Sequence, residues 1–346
     1  MTPLRVGLVM PTSFGVGSVI AGGERYAFEL ARALARETPT TLFTFGREPK
    51  AVMIDALTIR YCKAMAYAGG VINPVSVAHL GPLRRCDVIH CLQPRTIVTD
   101  LALLWGWMWR RRTFLTDLAG GAGIRPSRYI PMANLMSGFL PISEYNRSLN
   151  PWITKPTTVI SSGVDTDQFA PDPSVVRHER RILYVGRLFG GKGLHVLLDA
   201  LPDDVTLDVV GGGDQEYVSR VKAQAAGKAV VFHGSLSDAE VVRLYQTTTA
   251  IVLPSLVDSG VTSSLEAMAC GTPVVGSRLG ALTEIVTPET GWLVPPDDSA
   301  ALRAALIDAL SDQARLRAKG DAARLEVQTR FTWEAVAQRC LSACLG

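Results

Sequence analysis

Short apolar, β-branched runs alternate with amphipathic helical patterns almost from end to end of this 346-residue chain. That alternation is the strongest constraint on the fold. Each strand is followed by a segment long enough to cross back over the sheet, so the strands can lie parallel with helices covering both faces. The spacing predicts strands at Arg5–Met10, Thr40–Phe45, Asp87–Cys91, Arg112–Thr116 and Thr157–Ser161. A second set is expected at Arg181–Val185, Thr206–Val210, Val230–His233, Ala250–Leu253 and Pro273–Val275. Two sets of about five strands suggest two doubly wound α/β domains rather than one barrel. Asp, Pro and Ser cluster between Gly163 and Arg177, which places the break there. The expected organisation is one Rossmann-like domain over 1–165, a second over 166–330, and a last helix over 331–346 returning toward the first. Ligands in such sheets lie beyond the carboxyl ends of the strands, here expected in a cleft between the two domains.

Composition narrows the function classes. A net charge of +3 with no basic stripe argues against nucleic acid as a partner. The six cysteines (Cys62, Cys86, Cys91, Cys270, Cys340, Cys344) form no C-x-x-C pair, and no histidine completes a zinc spacing. They read as reduced, buried thiols of a cytoplasmic protein. The amino-terminal run reads as a first strand and not as a signal peptide. No stretch approaches the ~20 apolar residues that span a bilayer, yet mean hydropathy is high for a soluble enzyme.

The second half carries the chemistry. After the strand RILYV come Gly186-Arg187, a glycine turn, and Lys192-Gly193 opening a helix. Two cations at the carboxyl edge of a sheet can clamp a diphosphate, Arg187 as a fork and Lys192 as a point charge. In PSLVDSGVTSSLEAMACGTPVV (254–275), Thr262, Ser263 and Ser264 lead into an apolar helix whose free N–H groups form an anion site. Glu266 stands three residues after Ser263. It fits a capping box, a ribose-binding carboxylate, or both. Gly211-Gly212-Gly213 follows a strand, but Glu216 stands where a dinucleotide fingerprint needs its third glycine; a tight strand-to-helix turn is expected. Asp165-x-Asp167 reads as part of the linker, so no metal is implied.

These stretches resemble family 4 of the retaining glycosyltransferases, which have the GT-B fold. Four carry the resemblance: GGERYAFELARAL (22–34), VISSGVDTDQF (159–169), ILYVGRLFGGKGLHVLLDAL (182–201) and VLPSLVDSGVTSSLEAMACGTPVV (252–275). The family's properties imply a nucleoside-diphosphate sugar (UDP- or GDP-linked) as donor, no separate cofactor, and a glycan or lipid-linked acceptor. By the same resemblance Arg187 and Lys192 meet the diphosphate and Glu266 the ribose. Asp258 takes the first of two acids seven residues apart, where the family usually has Glu. Gly186, Gly212, Gly260, Val261, Thr262, Ser263 and Ser264 join the donor site. The loop Ser259–Thr262 lacks the family's usual Gly-Phe-Gly wording.

The first half is less explicit. Gly15, Gly17, Gly22 and Gly23 lie between the first strand and first helix, and the resemblance points Gly22 and Gly23 at donor phosphate or acceptor. Thr116-Asp117, before Leu118-Ala119-Gly120-Gly121, stands where relatives have His-Asp, and both are acceptor-side candidates. His90 is expected to be a packing residue. The segment Leu101–Arg112 (LALLWGWMWRRR) is apolar nearly all round before its arginines. It is either a buried helix or a peripheral membrane contact, with tryptophans at the interface and arginines on anionic headgroups; the apolar run Ala64–Leu80 would extend that surface. The protein is expected at the inner face of a membrane if that contact is made. Two other readings remain open, a nucleotide-sugar epimerase of GT-B architecture and a non-catalytic sugar-nucleotide-binding subunit.

Overall fold

The structure is a computed structural model that describes residues 4–12, 22–67, 73–118, 132–257 and 261–345. The chain divides into two compact units. The first takes residues up to Gly163 and again from Trp333; the second is Val164–Thr332.

In the first unit the described elements run β1 (Val6–Val9), α1 (Gly22–Glu37), β2 (Thr40–Gly46), β3 (Lys50–Ile54), β4 (Leu57–Lys63), β5 (Ala66–Tyr67) and β6 (Pro74–Val75). There follow α2 (Leu80–Leu83), β7 (Val88–Cys91), α3 (Ile97–Met108), β8 (Arg112–Leu115), β9 (Gly138–Phe139) and α4 (Glu144–Ser148). Seven strands form one sheet in the order β3-β4-β2-β1-β7-β8-β9, parallel except where β3 pairs antiparallel with β4. Along β1, Val6 and Leu8 face α1, while Val9 faces the side covered by α3. This period of two, with apolar cover on both faces, is why the strand reads as one continuous apolar run.

The second unit contains β10 (Arg181–Val185), α5 (Leu194–Ala200), β11 (Thr206–Val210), α6 (Gln215–Gln224), β12 (Val230–Gly234) and α7 (Asp238–Thr247). It continues with β13 (Ala250–Leu253), α8 (Val261–Ala269), β14 (Val274–Ser277), α9 (Leu282–Ile285), β15 (Gly291–Val294), α10 (Ser299–Leu310) and α11 (Gln313–Arg330). Its sheet is parallel in the order β12-β11-β10-β13-β14-β15. Strand order reverses between β10 and β13, the topological switch point of a Rossmann-like domain. A final helix, α12 (Trp333–Leu345), belongs to the first unit and packs on α1.

The strand expectations need correction. Thr157–Ser161 is not a strand; only Thr157 makes an isolated bridge, to Phe139. The β3–β4 hairpin, β5, β6, β9 and β15 are strands that were not expected. Every residue of β3 is exposed, so it lacks the buried alternation by which an edge strand is recognised.

Leu101–Arg112 is neither wholly buried nor wholly exposed. Within α3 the buried residues are Val98, Thr99, Ala102, Leu103 and Gly106. Gly106 lets the helix lie against β8, since a Cβ there would stand 2.2 Å from a Thr113 methyl. The helix is therefore half-seated, and its carboxyl end, Trp107 to Trp109, is exposed. Of the run Ala64–Leu80, residues 68–72 lie outside the described residues. Asn73 Oδ1 accepts from the backbone N–H of Ile97 at the opposite, amino end of α3.

Candidate functional site

In the second unit the loops at the switch point are fastened to one another by backbone. After β10, Gly186 N–H donates to Val210 O at 3.0 Å, and Leu188 N–H to Gly212 O at 2.9 Å. Asp214 N–H returns to Leu188 O at 3.0 Å. The glycines are obligatory here. Gly211 has φ +132, and a Cβ on it would stand 2.0 Å from Gly186 O; one on Gly213 would stand 2.1 Å from Leu188 O. Gly211–Gly213 is thus a strand-to-helix turn clamped against the neighbouring loop, and Asp214 caps α6 by accepting from Tyr217 N–H at 2.8 Å. Gly212 is exposed with no such crowding.

Arg187 is exposed at the end of β10, its guanidinium 5.3 Å from the Phe189 ring centre. Tyr184 Oη donates to its carbonyl at 3.2 Å. The chain then makes a one-turn 3-10 helix, Gly190–Lys192. Gly193 follows with φ +68, its α-carbon so close to Pro254 that a Cβ would stand 1.8 Å from that carbonyl oxygen. Gly191 O accepts from Leu256 N–H at 2.9 Å. The loop bearing Lys192 is therefore strapped to the segment that leads from β13 into α8.

Helix α8 is the third component. It begins at Val261, so Ser263 lies inside the first turn and does not cap it. The capping box expected between Ser263 and Glu266 is not formed. Glu266 is buried and accepts from Tyr245 Oη at 3.0 Å. The Ser264 hydroxyl is also buried and donates to Val261 O at 2.8 Å. Thr262 is exposed; Val261 and Ser263 are half-buried. At the other end of the helix, Arg177 donates to Cys270 O at 2.6 Å, Thr248 O at 2.8 Å, Tyr245 O at 3.2 Å and Thr272 Oγ1 at 2.6 Å. Arg324 holds Ala269 O. Two guanidinium groups thus complement the negative end of the α8 dipole, and its positive end lies at the carboxyl edge of the sheet, where an anion is favoured.

The structure brings Gly186, Arg187, Lys192 and the first turn of α8 to one carboxyl edge, at the β10–β13 switch point. Asp258 and Gly260 lie outside the described residues, as do Ser259, Gly15, Gly17, Ala119, Gly120 and Gly121. Asp165 serves a turn: its Oδ1 accepts from the N–H groups of Asp167 and Gln168, each at 3.0 Å.

In the first unit, Gly22 and Gly23 open α1. A Cβ on Gly22 would meet nothing within 4 Å among the described residues. Thr116 and Asp117 are wholly buried. The Thr116 hydroxyl donates to Leu140 O at 2.6 Å and accepts from His90 Nε2 at 2.8 Å. His90 is itself wholly buried, which pushes its pKa down to about 3 and keeps it neutral. Asp117 Oδ2 accepts from Asn150 Nδ2 at 3.0 Å. In this arrangement both acceptor-side candidates are interior hydrogen-bonding groups.

Sequence reasoning missed three residues. Tyr245 holds Glu266, and Arg177 holds the end of α8. Asp100, in the first turn of α3, has a carboxyl that burial raises to about 7. An acid alone in an otherwise apolar helix was the available signal.

These features define a class: a Rossmann-like domain whose switch point presents cations and a helix amino terminus to an anionic ligand. Residues 166–326, nearly the whole of the second unit, match the family described as glycosyl transferases group 1. The chain is 34% identical over 193 residues to glycogen synthase of Mycobacterium tuberculosis, covering 52% of this chain and 46% of that protein. It is 36% identical over 196 residues to phosphatidyl-myo-inositol mannosyltransferase of Mycobacterium leprae, covering 53% and 51%. The chain spans about half the length of the curated relatives it matches. Among solved structures, sucrose-phosphate synthase from Thermosynechococcus elongatus superposes with a TM-score of 0.78 at 23% identity, covering 98% of both chains. Anabaena Alr3699/HepE in complex with UDP gives 0.79 at 18%, covering 98% and 99%. These likenesses establish the fold, which is GT-B: two Rossmann-like α/β domains.

Proposed function

We propose that this chain is a retaining glycosyltransferase that moves a hexosyl group from a nucleoside-diphosphate sugar to a hydroxyl of a glycan or lipid-linked acceptor, in polysaccharide or glycoconjugate synthesis. The observation that carries the reading is the strapping of the Arg187–Lys192 loop to the chain entering α8. It gathers two cations and a helix amino terminus at the carboxyl edge, where a leaving diphosphate gains negative charge. Stabilising that charge is the main demand of the chemistry, and groups already fixed in place do so without reorganising. Glu266, oriented by Tyr245, accepts from ribose hydroxyls in this reading. We assign Asp258 to the donor sugar and the acceptor to the first unit. The reaction as proposed needs no metal.

Names among the relatives support a UDP- or GDP-linked donor. One matching protein is a GDP-mannose-dependent mannosyltransferase of Corynebacterium glutamicum, and one fold neighbour was solved with UDP-glucose. A lipid-linked acceptor would bring the enzyme to the inner face of a membrane, and we place that contact at the exposed end of α3. No helix among the described residues is long and apolar enough to cross a membrane.

Calorimetry with UDP, GDP and ADP tests the donor assignment. One nucleotide is expected to bind selectively. Arg187→Ala/Lys192→Ala should weaken it by about a hundredfold, and Glu266→Gln by about tenfold, from the loss of charge-assisted hydrogen bonds. Undiminished binding in both variants would remove the site from consideration. Donor turnover that leaves label in the nucleotide sugar without any acceptor would point to epimerisation instead.

A further inference from the structure

A cavity of about 570 Å³ opens at the amino edge of the first unit's sheet, the edge opposite to that used by the strands' carboxyl ends. Its walls come from Arg5 and Val6 at the start of β1, Thr40 and Thr41 at the start of β2, and Thr58 and Arg60 on β4. The turn through α2 closes it with Gly81, Pro82 and Arg85. This volume suits a small ligand or a headgroup. Three guanidinium groups line it and no carboxylate does. Among the described residues, none of the three is in an ion pair.

Nearby acids are already engaged. Asp55 pairs with Arg32 at 3.2 Å. Asp87 accepts from Arg5 N–H at 2.9 Å and pairs with Arg111 at 3.5 Å. The Thr41 and Thr58 hydroxyls line the same cavity and make no hydrogen bond among the described residues. A wall of unpaired arginines and spare hydroxyls is the donor set of a phosphate site.

The rim says where the phosphate comes from. Arg84, next in the chain to Arg85, stacks its guanidinium over the Trp109 ring at 4.5 Å. Trp109 closes an exposed run in which Trp107 and Met108 are 58% and 59% exposed. Arg110 follows directly and is exposed, while Arg111 and Arg112 are held within the unit by Asp87 and by the carbonyls of Cys344 and Leu345. Exposed tryptophans beside arginines match the boundary layer of an anionic bilayer, apolar rings at the acyl chains and cations at the headgroups.

We propose that this cavity binds the phosphate of an anionic lipid headgroup while Trp107, Met108 and Trp109 enter the membrane surface beside it. The proposal rests on the membrane contact placed above at the end of α3 and adds a specific lipid site to it. Because the cavity lies at the amino edge, it anchors the first unit and takes no part in chemistry at the carboxyl edge.

The test is co-sedimentation of the whole chain with vesicles of phosphatidylcholine alone and of an equal mixture with phosphatidic acid. Calorimetry with soluble glycerol 3-phosphate runs alongside. The parent is expected to bind only the mixed vesicles. Arg5→Gln/Arg60→Gln/Arg85→Gln should bind them about a hundredfold more weakly, at roughly a factor of five per arginine near an anionic surface. A charge-matched control on the second unit, Arg220→Gln/Lys222→Gln/Lys228→Gln, should change binding by less than about threefold. All six positions are exposed, so folding is not at stake. Equal losses in the two variants, or none in the cavity variant, would overturn the lipid site while leaving the membrane contact standing. If the parent ignores vesicles, the membrane contact falls, and cavity-dependent binding of glycerol 3-phosphate would then assign the site to a soluble phosphate instead.

Discussion

Asp100, half-buried, shows how far partial burial shifts a carboxyl. It lies in the first turn of α3, where the helix dipole favours the ionised form. Burial outweighs that and raises the carboxyl from 3.8 to about 7. For an acid whose folded value is raised, folding carries no cost below the unfolded pKa. The cost grows as pH rises through about 4 to 7 and is constant above. Asp100→Asn is therefore expected to stabilise the chain by about 2 kcal/mol at pH 8, below the upper bound of about 4 set by the full shift. The gain should be smaller at pH 5. Urea unfolding of both proteins at the two pH values checks this; a pH-independent gain would mean that burial of charge is not the cause. The sequence made the cations at the carboxyl edge legible, because Arg187 and Lys192 sit at fixed offsets from a strand end. It did not reveal that Thr116 and Asp117 face inward. A residue at a strand's end faces either the solvent or the sheet interior, and the covering chain, here Leu140 and Asn150, decides which.

At the scale of elements, helix α8 is held by its carboxyl end so that its amino end is available. Arg177 reaches the carbonyls closing α7 and α8 together with the Thr272 hydroxyl, and only a planar fork satisfies several acceptors at once. Arg177→Met would take their donor from Cys270 O, Thr248 O and the Thr272 hydroxyl, while Tyr245 O keeps the Thr272 hydroxyl at 2.6 Å. We expect a loss of about 3 kcal/mol, at about 1 kcal/mol for each of the principal bonds. Arg177→Lys should recover less than half of it. Chemical denaturation measures the loss, and nucleotide calorimetry should show weaker donor binding because the first turn of α8 shifts with its far end. A loss below about 1 kcal/mol would show that α8 is held by its packing alone. This clamp was not readable in the sequence. Arg177 stands in a Pro- and Asp-rich stretch that looks like solvated linker, and its acceptors lie 68 to 95 residues away.

For the whole molecule, the parallel strands were the most legible feature. Arg181–Val185, Thr206–Val210 and Ala250–Leu253 were each readable to the residue, because strands covered on both faces are uninterrupted apolar runs with sharp ends. Of the edge strands, β12 was expected to within one residue, as Val230–His233, while β3, β9 and β15 were not, since an edge strand is half solvated and its pattern blurs. The connectivity has a consequence for stability. Helix α12 follows the second unit in sequence yet completes the core of the first. Trp333, Val336, Ala337, Cys340 and Cys344 are buried in it, and Trp333 meets Tyr26 edge-on at 5.3 Å. Arg339 donates to Ile160 O at 3.1 Å, and Arg112 to the carbonyls of Cys344 and Leu345. Burial of such side chains contributes roughly 5 to 8 kcal/mol in total, comparable to the stability of an entire domain. A chain ending at Thr332 should therefore keep the second unit folded and lose cooperative structure in the first. Hydrogen exchange resolved by peptide would show it: α1 and β1 should lose protection, while β10 and β13 retain it. Adding residues 333–346 as a separate peptide should restore protection to α1, because the helix carries its own contacts and needs the chain only for proximity. If α1 stays protected in the truncated chain, the first unit holds its core without α12. The helix would then be a cover and not a part of the fold.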